Sequence, residues 1–264
     1  MSAAGSHGIV FVGDVHRRWD HVERGLVALE RPPRHVVLLG DIMECDAPLD
    51  LLAAPILRRG AGLHWIFGNH DADGGPEMWA NLADPARNPL TAAGAPHGRV
   101  ADVGGLRIAG LGGTFRARVS APPAPPRLRS RAELPADRAT LGPGWSDESA
   151  AALARSLAAM AIWPGDVEAL AAQRADVLVT HEAPSSHPGG LAVLDELARA
   201  MGAVLLVHGH PHIGDRVRTG GGMLQAQGVG AAWGVDLLGR TRWQGEAERW
   251  RGRARKGRIY PGDG

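Results

Sequence analysis

The sequence predicts an α/β fold in which parallel strands alternate with helices. Three apolar runs, at residues 8–13 (GIVFVG), 35–40 (HVVLLG) and 63–67 (LHWIF), have the composition of strands that are buried in a sheet. Segments with apolar residues at helical spacing separate these runs, and a polar residue follows each of them. Because ligands bind at the carboxyl ends of strands in such sheets, the polar residues mark a candidate site along one edge.

The remaining elements continue this alternation. Helices are predicted over residues 20–30, before a Pro-Pro pair, and over 47–59, where Pro55 kinks or breaks the helix. Two runs that flank Gly104 and Gly105 predict a hairpin. The later predictions, in order, are a helix at 147–160, a strand at 176–180, a helix at 191–201, a strand at 203–207 and short glycine-rich strands between 217 and 238.

We predict one domain over residues 1–238 and a C-terminal tail or edge segment over 239–264, packed by its tryptophans. A Pro- and Arg-rich insertion interrupts the domain at about residues 117–144. Its arginines could meet a polyanionic substrate such as a nucleotide or a nucleic-acid end; the alternative is a solvated loop. They are Arg127, Arg129, Arg131 and Arg138.

Composition and charge exclude several classes of protein. The 29 Lys and Arg residues nearly balance 28 Asp and Glu residues, so the net charge of +1 creates no general attraction to nucleic acid or membranes. Cys45 is the single cysteine, which excludes an intrachain disulfide. No apolar stretch approaches the roughly 18 residues of a membrane span, and the first residues lack a signal sequence. We therefore expect a cytoplasmic protein with no membrane partner.

Five short segments carry acids, an amide and imidazoles, each at the end of a predicted strand. They are Gly-Asp14-Val-His16, Gly-Asp41, Gly-Asn69-His70-Asp71, Thr-His181-Glu and Gly-His210-Pro-His212. Two adjacent divalent metals require this set: a carboxylate to bridge them, further oxygen ligands and several imidazoles. A single hydrated Mg²⁺ does not need four histidines, and a structural zinc site is expected to use thiolates. The segments therefore predict a pair of metals.

Alternate-residue spacing within two of these segments supports shared ligation. Asp14 and His16 lie two residues apart, as do His210 and His212. In an extended backbone such residues point to the same side, so each pair can face one site. His208 has the same parity but precedes the turn-forming Gly209, and we interpret it as a core residue or as support for a ligand.

Together, the five segments resemble the motifs of the calcineurin-like metallophosphoesterase superfamily, over about residues 8–230. The resemblance implies a four-layer α-β-β-α sandwich of two mixed β-sheets, with the metal site at the strand C-terminal edge. It implies two divalent metal ions, Mn²⁺ foremost, with Fe, Zn²⁺, Ni²⁺ or Mg²⁺ as alternatives. The implied ligands are Asp14, His16 and His212 for one metal and Asn69, His181 and His210 for the other, with Asp41 as the bridge.

The reaction implied by this resemblance is hydrolysis of a phosphomonoester or phosphodiester by a metal-bridging hydroxide. His70 follows Asn69 directly, so it faces away from the metal of its neighbour, and in the superfamily this histidine is the general acid that protonates the leaving oxygen. An acidic residue is expected to orient its ring. Glu44 occupies the place where phosphoprotein phosphatases carry an aspartate, and Asp71 is the other candidate.

Departures from the phosphoprotein-phosphatase branch argue against a standard Ser/Thr phosphatase. That branch resembles Gly-Asp-x-x-Asp-Arg-Gly at its second motif, and Cys45 stands here in place of the phosphate-binding arginine. Arg17 and Arg116 are candidates for contacts with the substrate phosphate, because guanidinium groups bind oxyanions in a bidentate manner. The expected substrate is a small phosphoester or a nucleotide.

Two alternatives from other functional classes remain at this stage. A nuclease-like enzyme acting on nucleic-acid ends is consistent with Gly-Asn69-His70-Asp71, but it predicts salt-sensitive binding that the low net charge does not favour. A non-catalytic scaffold of the same fold is expected to lose metal ligands or the catalytic histidine. This chain keeps them all.

Overall fold

Two mixed β-sheets form the centre of the fold, which a computed structural model describes for residues 8–43, 47–133, 146, 151, 154, 158–219 and 222–245. The first sheet has the strand order β11-β10-β1-β2-β3 and the second β4-β5-β6-β7-β9-β8. Strands β1, β2 and β3 run parallel, as do β5, β6, β7 and β9. Antiparallel strands complete each sheet.

The bounds of the strands agree closely with the predicted apolar runs. The first sheet consists of β1 (Ile9–Val12), β2 (His35–Leu39), β3 (Gly62–Ile66), β10 (Gly234–Asp236) and β11 (Thr241–Trp243). The second consists of β4 (Val100–Val103), β5 (Leu106–Leu111), β6 (Val177–Thr180), β7 (Leu205–His208), β8 (Asp215–Thr219) and β9 (Leu224–Gly228). The predicted hairpin is the antiparallel pair β4–β5.

Helices cover the outer face of each sheet. They are α1 (Trp19–Val27), α2 (Leu49–Leu52), α3 (Ala54–Leu57), α4 (Pro76–Ala83), α5 (Pro164–Ala171) and α6 (Ala192–Met201). The helix predicted over 47–59 is divided into α2 and α3 because Pro55 starts a new helix at its first turn. The predicted helix at 147–160 falls largely outside the described residues.

Alternation of side chains along the strands separates three layers of core. Phe11 and Val37 point into the layer between the sheets, together with Val179 and Val207 from the second sheet. Their neighbours along the strands point outward, where the apolar faces of the helices cover them. Helices therefore lie on both outer faces of two packed sheets, which confirms the four-layer α-β-β-α sandwich.

The segments on which the sequence was least informative pack against this frame. In the first half of the insertion, Val119 and Leu128 pack with Trp163 in a small separate cluster, and the Arg131 guanidinium lies 5.5 Å from the centre of the Trp163 ring. The start of segment 239–264 forms β11, whose Trp243 donates a hydrogen bond from Nε1 to the Ala232 carbonyl. The described part of the chain contains no helix long and apolar enough to cross a membrane.

Candidate metal centre

The candidate ligands come from loops that leave the carboxyl ends of strands in both sheets. Asp14 and His16 follow β1, Asp41 follows β2, and Asn69 and His70 follow β3, whereas His181 follows β6 and His210 and His212 follow β7. Because parallel strands end at the same edge, the tertiary fold brings residues nearly 200 positions apart into one site. The structure places all of these side chains together.

Carboxylate and imidazole atoms form two groups, each compact enough to hold one metal ion. Asp14, His16, Asp41 and His212 make the first group, and Asp41, His181 and His210 make the second. Within the first, His212 Nε2 lies 3.6 Å from Asp14 Oδ1, and His16 Nε2 lies 3.7 Å from Asp41 Oδ2. Asp41 belongs to both groups, so one carboxylate joins the two candidate metal positions.

Asn69 adds an amide oxygen to the second group. Its Oδ1 atom lies 2.9 Å from Nε2 of His181, whose Nε2 is also 3.5 Å from Asp41 Oδ2 and 3.2 Å from Nδ1 of His210. Asp14 and Asp41 are almost completely buried, and so is His181. The group therefore combines two oxygens and two nitrogens at the edge of the core.

The arrangement of atoms around His181 tests whether these residues fit a metal. Its Nδ1 donates to the Leu39 carbonyl oxygen at 2.8 Å, which leaves Nε2 of the neutral ring as a lone-pair atom. Burial alone lowers the pKa of His181, but the charges of Asp41 and Asp14 outweigh it and raise the pKa. This negative environment favours a cation among the acceptor atoms, and a divalent metal fits it.

The first group also fits a metal, because it too combines acidic charge with imidazole nitrogens. His16 and His212 bring their Nε2 atoms within 3.4 Å of each other. Although burial opposes ionisation of Asp14, a hydrogen bond to His212 and the neighbouring imidazoles lower the Asp14 pKa to about 2. Asp14 is therefore a carboxylate at neutral pH, the protonation state that metal binding requires.

Glycines before the ligands allow the loops to approach one another. A Cβ atom on Gly68 would lie 2.2 Å from Asp41 Oδ1, one on Gly40 would lie 2.4 Å from His181 Nδ1, and one on Gly209 would lie 2.6 Å from Asp14 Oδ2. Only glycine avoids these clashes. The Gly-Asp, Gly-Asn and Gly-His pairs of the sequence thus reflect packing of backbone against ligands.

The backbone itself is strained at the site. Among the described residues, five of the six non-glycine positions with positive φ are candidate ligands. They are Asp14, His16, Asp41, His210 and His212, with φ from 21° to 62°. Such conformations are costly outside glycine and cluster at functional sites, so their coincidence here supports a site under functional constraint.

His70 lies beside the first group, and its ring is oriented by a residue outside the expected set. Its Nδ1 lies 2.5 Å from Oδ2 of Asp73, and the hydrogen bond to Asp73 raises the pKa of His70 to about 9. The expected partner Asp71 is directed elsewhere: its oxygens accept backbone N–H groups at 2.6–2.7 Å, from Ile42, Met43 and Gly68. The other expected partner, Glu44, lies outside the described residues, as does Cys45.

The spacing of three residues between His70 and Asp73 is the sequence signal that could have identified Asp73 as the partner of the His70 ring. The Asp73 N–H donates to the His70 carbonyl at 3.3 Å, so the backbone turns and brings the two side chains to the same side. The sequence Asp71-Ala-Asp73-Gly-Gly contains both acids. Choosing between them requires knowing that Asp71 points into the core.

A cleft of about 450 Å³ opens next to the candidate metal groups. It is lined by His16, Arg17, His70, Asp73, Gly74 and Met78. The expected substrate ligand Arg17 thus lies at the cleft, and its side chain is exposed. Arg116 is not among the lining residues; its guanidinium lies 3.4 Å from the Asn69 carbonyl oxygen, beside the second group.

Comparison with known proteins relates the chain to one family. The sequence model of the calcineurin-like phosphoesterases matches residues 7–214. A protein of Haemophilus influenzae described as uncharacterized is 34% identical over 215 residues, which are 80% of this chain and 86% of that protein.

Solved structures show the same fold. TT1561 of Thermus thermophilus superposes with a TM-score of 0.53 at 16% identity, over 88% of this chain and 96% of that one. A second solved structure superposes with a TM-score of 0.51 at 14% identity, over 87% of this chain and 95% of its own.

Proposed function

The chain belongs to the calcineurin-like phosphoesterase family, and we propose that it hydrolyses a phosphomonoester or phosphodiester with two divalent metal ions. The observation that carries the proposal is the position of Asp41 in both ligand groups. A shared carboxylate between two sets of nitrogen and oxygen ligands is the arrangement that dinuclear hydrolases use. Metal-assisted hydrolysis therefore accounts for all the residues of the site.

Residues of the first metal position are Asp14, His16 and His212, and those of the second are Asn69, His181 and His210; Asp41 contributes to both. When bound, the metals supply a water nucleophile at neutral pH and neutralise the phosphate oxygens. The oxygen and nitrogen ligands, with no thiolate among the described ones, suit Mn²⁺, and they also accept Fe, Zn²⁺, Ni²⁺ or Mg²⁺.

His70 is the proposed general acid. Its ring centre lies 5.8 Å from that of His16, so it borders the first metal position without belonging to either ligand group. The backbone N–H of His70 donates to Asp41 Oδ1 at 2.9 Å, which fixes the base of the side chain relative to the bridging carboxylate. The imidazole then protonates the leaving oxygen as its bond to phosphorus breaks.

A small phosphoester or a nucleotide is the proposed substrate. Arg17 borders the cleft beside His16 and His70, where it can bind the substrate phosphate. Arg116, beside Asn69, is the second proposed phosphate contact. In the insertion, Arg131 is paired with Asp166 at 3.5 Å and lies over Trp163, which favours a structural role over binding of a nucleic-acid end.

A screen of metals against generic phosphomonoesters and phosphodiesters tests this function. We expect hydrolysis that requires an added divalent metal and that falls at least about 100-fold in His70→Ala, the range that general acid catalysis contributes. Asp41→Asn should abolish the hydrolysis that the added metal stimulates. His21→Ala is the matched control, because His21 contacts Arg24 on α1 rather than the site. Retention of full metal-stimulated activity in both site variants would refute the proposal.

A further inference from the structure

The His70 ring is held from one side by a carboxylate of its own loop. The 2.5 Å contact joins Nδ1 of His70 to Oδ2 of Asp73, and the side chains are 50% and 54% exposed, so the pair lies at the surface of the cleft. A hydrogen bond at Nδ1 fixes which ring nitrogen carries the proton and how the ring is rotated. The opposite nitrogen, Nε2, is left for a substrate.

We infer that Asp73 is the positioning residue of the general acid, which keeps His70 oriented with Nε2–H available to the leaving oxygen. The inference rests on the proposed function, because it assigns Asp73 to the step that His70 performs there. Among the described residues, Asp73 is the carboxylate that meets the His70 ring.

Other nearby acids are already committed to different partners. Asp71 holds three backbone N–H groups, with Oδ1 on Ile42 and Met43 and Oδ2 on Gly68. Asp41 accepts the His70 backbone N–H and belongs to both ligand groups. Neither can rotate toward the His70 ring without losing these contacts, whereas Asp73 reaches the ring from within one turn of backbone.

The proton inventory of the step follows from this orientation. The attacking water has already released one proton to the solvent, so hydroxide forms the new bond from oxygen to phosphorus. The bond from phosphorus to the leaving oxygen breaks at the same time, and its electron pair remains on that oxygen. The oxygen takes the Nε2 proton of His70 and leaves as an alcohol. Nδ1 keeps its proton, which remains hydrogen bonded to Asp73, and the ring becomes neutral. Asp73 touches neither substrate nor metal and acts through His70.

Leaving-group dependence separates this role from a structural one. Esters of p-nitrophenol depart without much help from an acid, whereas esters of alkyl alcohols need the proton. We expect Asp73→Asn to lower kcat on an alkyl ester by about 10- to 100-fold, the range for loss of an orienting partner, and to lower it far less on the p-nitrophenyl ester. Asp73→Glu should recover part of the loss.

The matched control is Glu77→Gln, which removes an exposed carboxylate from the start of α4, four residues away. Glu77 pairs with Arg87 rather than with His70, so its variant should behave as wild type on both esters. A second readout needs no activity: nitrogen-15 NMR of the His70 ring should show a protonated Nδ1 in wild type and in Glu77→Gln. In Asp73→Asn, the Nδ1–H population should fall.

Equal losses on the two esters, or unchanged NMR signals in Asp73→Asn, would overturn the inference and leave the proposed function standing. It is also overturned if Glu44→Gln, rather than Asp73→Asn, produces the loss that depends on the leaving group. By contrast, wild-type protein that hydrolyses neither ester with any metal contradicts the proposed function itself. The two failures are therefore distinguishable.

Discussion

The Asp71 carboxylate accepts a 2.7 Å hydrogen bond from the backbone N–H of Met43, which lies 28 residues earlier in the chain. Asp71 is fully buried and also accepts from Ile42 and Gly68, so it ties the loop after β2 to the loop after β3. An amide at this position has only one acceptor oxygen. We therefore expect Asp71→Asn to lower the free energy of unfolding by about 1–3 kcal/mol, the cost of an unsatisfied buried group.

Urea denaturation of metal-free protein measures this effect. Glu168→Gln is the control, because it is also a change from acid to amide and Glu168 is an exposed residue of α5. Its free energy of unfolding should remain within about 0.5 kcal/mol of wild type. Equal stabilities for the two variants would contradict the structural role of Asp71.

Asp41→Asn should weaken metal binding at both positions. The amide loses the negative charge that Asp41 brings to both ligand groups. We expect at least about a 100-fold loss of affinity for Mn²⁺, because a residue that only supports a ligand already contributes 10- to 100-fold. Isothermal titration calorimetry with Mn²⁺ gives the affinity and the number of ions bound.

Asp20→Asn is the control for that titration, since Asp20 is exposed and pairs with Arg24 on α1. It should bind Mn²⁺ as wild type does. If Asp41→Asn kept the wild-type number of ions at unchanged affinity, Asp41 would not be the bridge.

Gly68→Ala should disturb the candidate metal centre without replacing any of its ligands. The added Cβ would lie 2.2 Å from Asp41 Oδ1, so the Asp41 side chain or the loop must move. We expect the rise in Tm that Mn²⁺ produces in wild type to be much smaller in this variant. Gly165→Ala is the control: a Cβ there meets nothing within 4 Å, and its Mn²⁺ response should match wild type. Equal responses in both variants would exclude the clash.

Acidification should destabilise the fold through His64, which lies on β3 with Nε2 3.3 Å from His35 Nδ1. Burial lowers the pKa of His64 from 6.5 to about 4. The unfolded chain gains a proton below pH 6.5 that the folded chain gains only near pH 4. The contribution of His64 to stability is therefore fully present above pH 6.5 and is lost progressively as the pH falls from 6.5 to about 4.

Urea unfolding of metal-free wild type and His64→Gln at pH 7 and pH 5 isolates this contribution. Between pH 7 and pH 5, we expect the free energy of unfolding to fall by about 1 kcal/mol more in wild type than in the variant. This figure allows for the partial exposure of the His64 ring. The comparison cancels the titration of the histidines that do not contact His64. If the free energy of unfolding fell as much in the variant as in wild type, a neutral His64 would not be the source of the pH dependence.

The elements that the sequence predicted best are those whose signal is local. The runs that became β1, β2, β3, β6 and β7 contain at most one polar residue each, and the Gly104-Gly105 pair specifies the β4–β5 turn. By contrast, α4 and α5 were not predicted. Each has eight residues and starts with a proline, which is favourable at a first turn but also resembles the start of a loop. Their stability comes from packing on the sheets rather than from a long periodic pattern.

The C-terminal segment is a second example of structure that local sequence patterns do not predict. Strand β11 has three residues, and its sequence carries no strong strand signal. Its place is set by Trp243, whose ring occupies space that a side chain on Gly25 or Gly234 would fill. Such a contact joins distant parts of the chain, so no window of sequence contains it.

Sequence alone determined the residues of the candidate metal site, because metal ligands must be particular residue types and the ends of buried strands can be recognised locally. The five segments and the glycines before their ligands are in this class. Only the tertiary structure decided between Asp71 and Asp73, two acids of the same loop. Asp71 turns inward to satisfy three buried N–H groups, and Asp73 turns outward to the His70 ring. The inward direction of Asp71 depends on Ile42 and Met43, which lie 29 and 28 positions earlier in the chain, so no local pattern contains it.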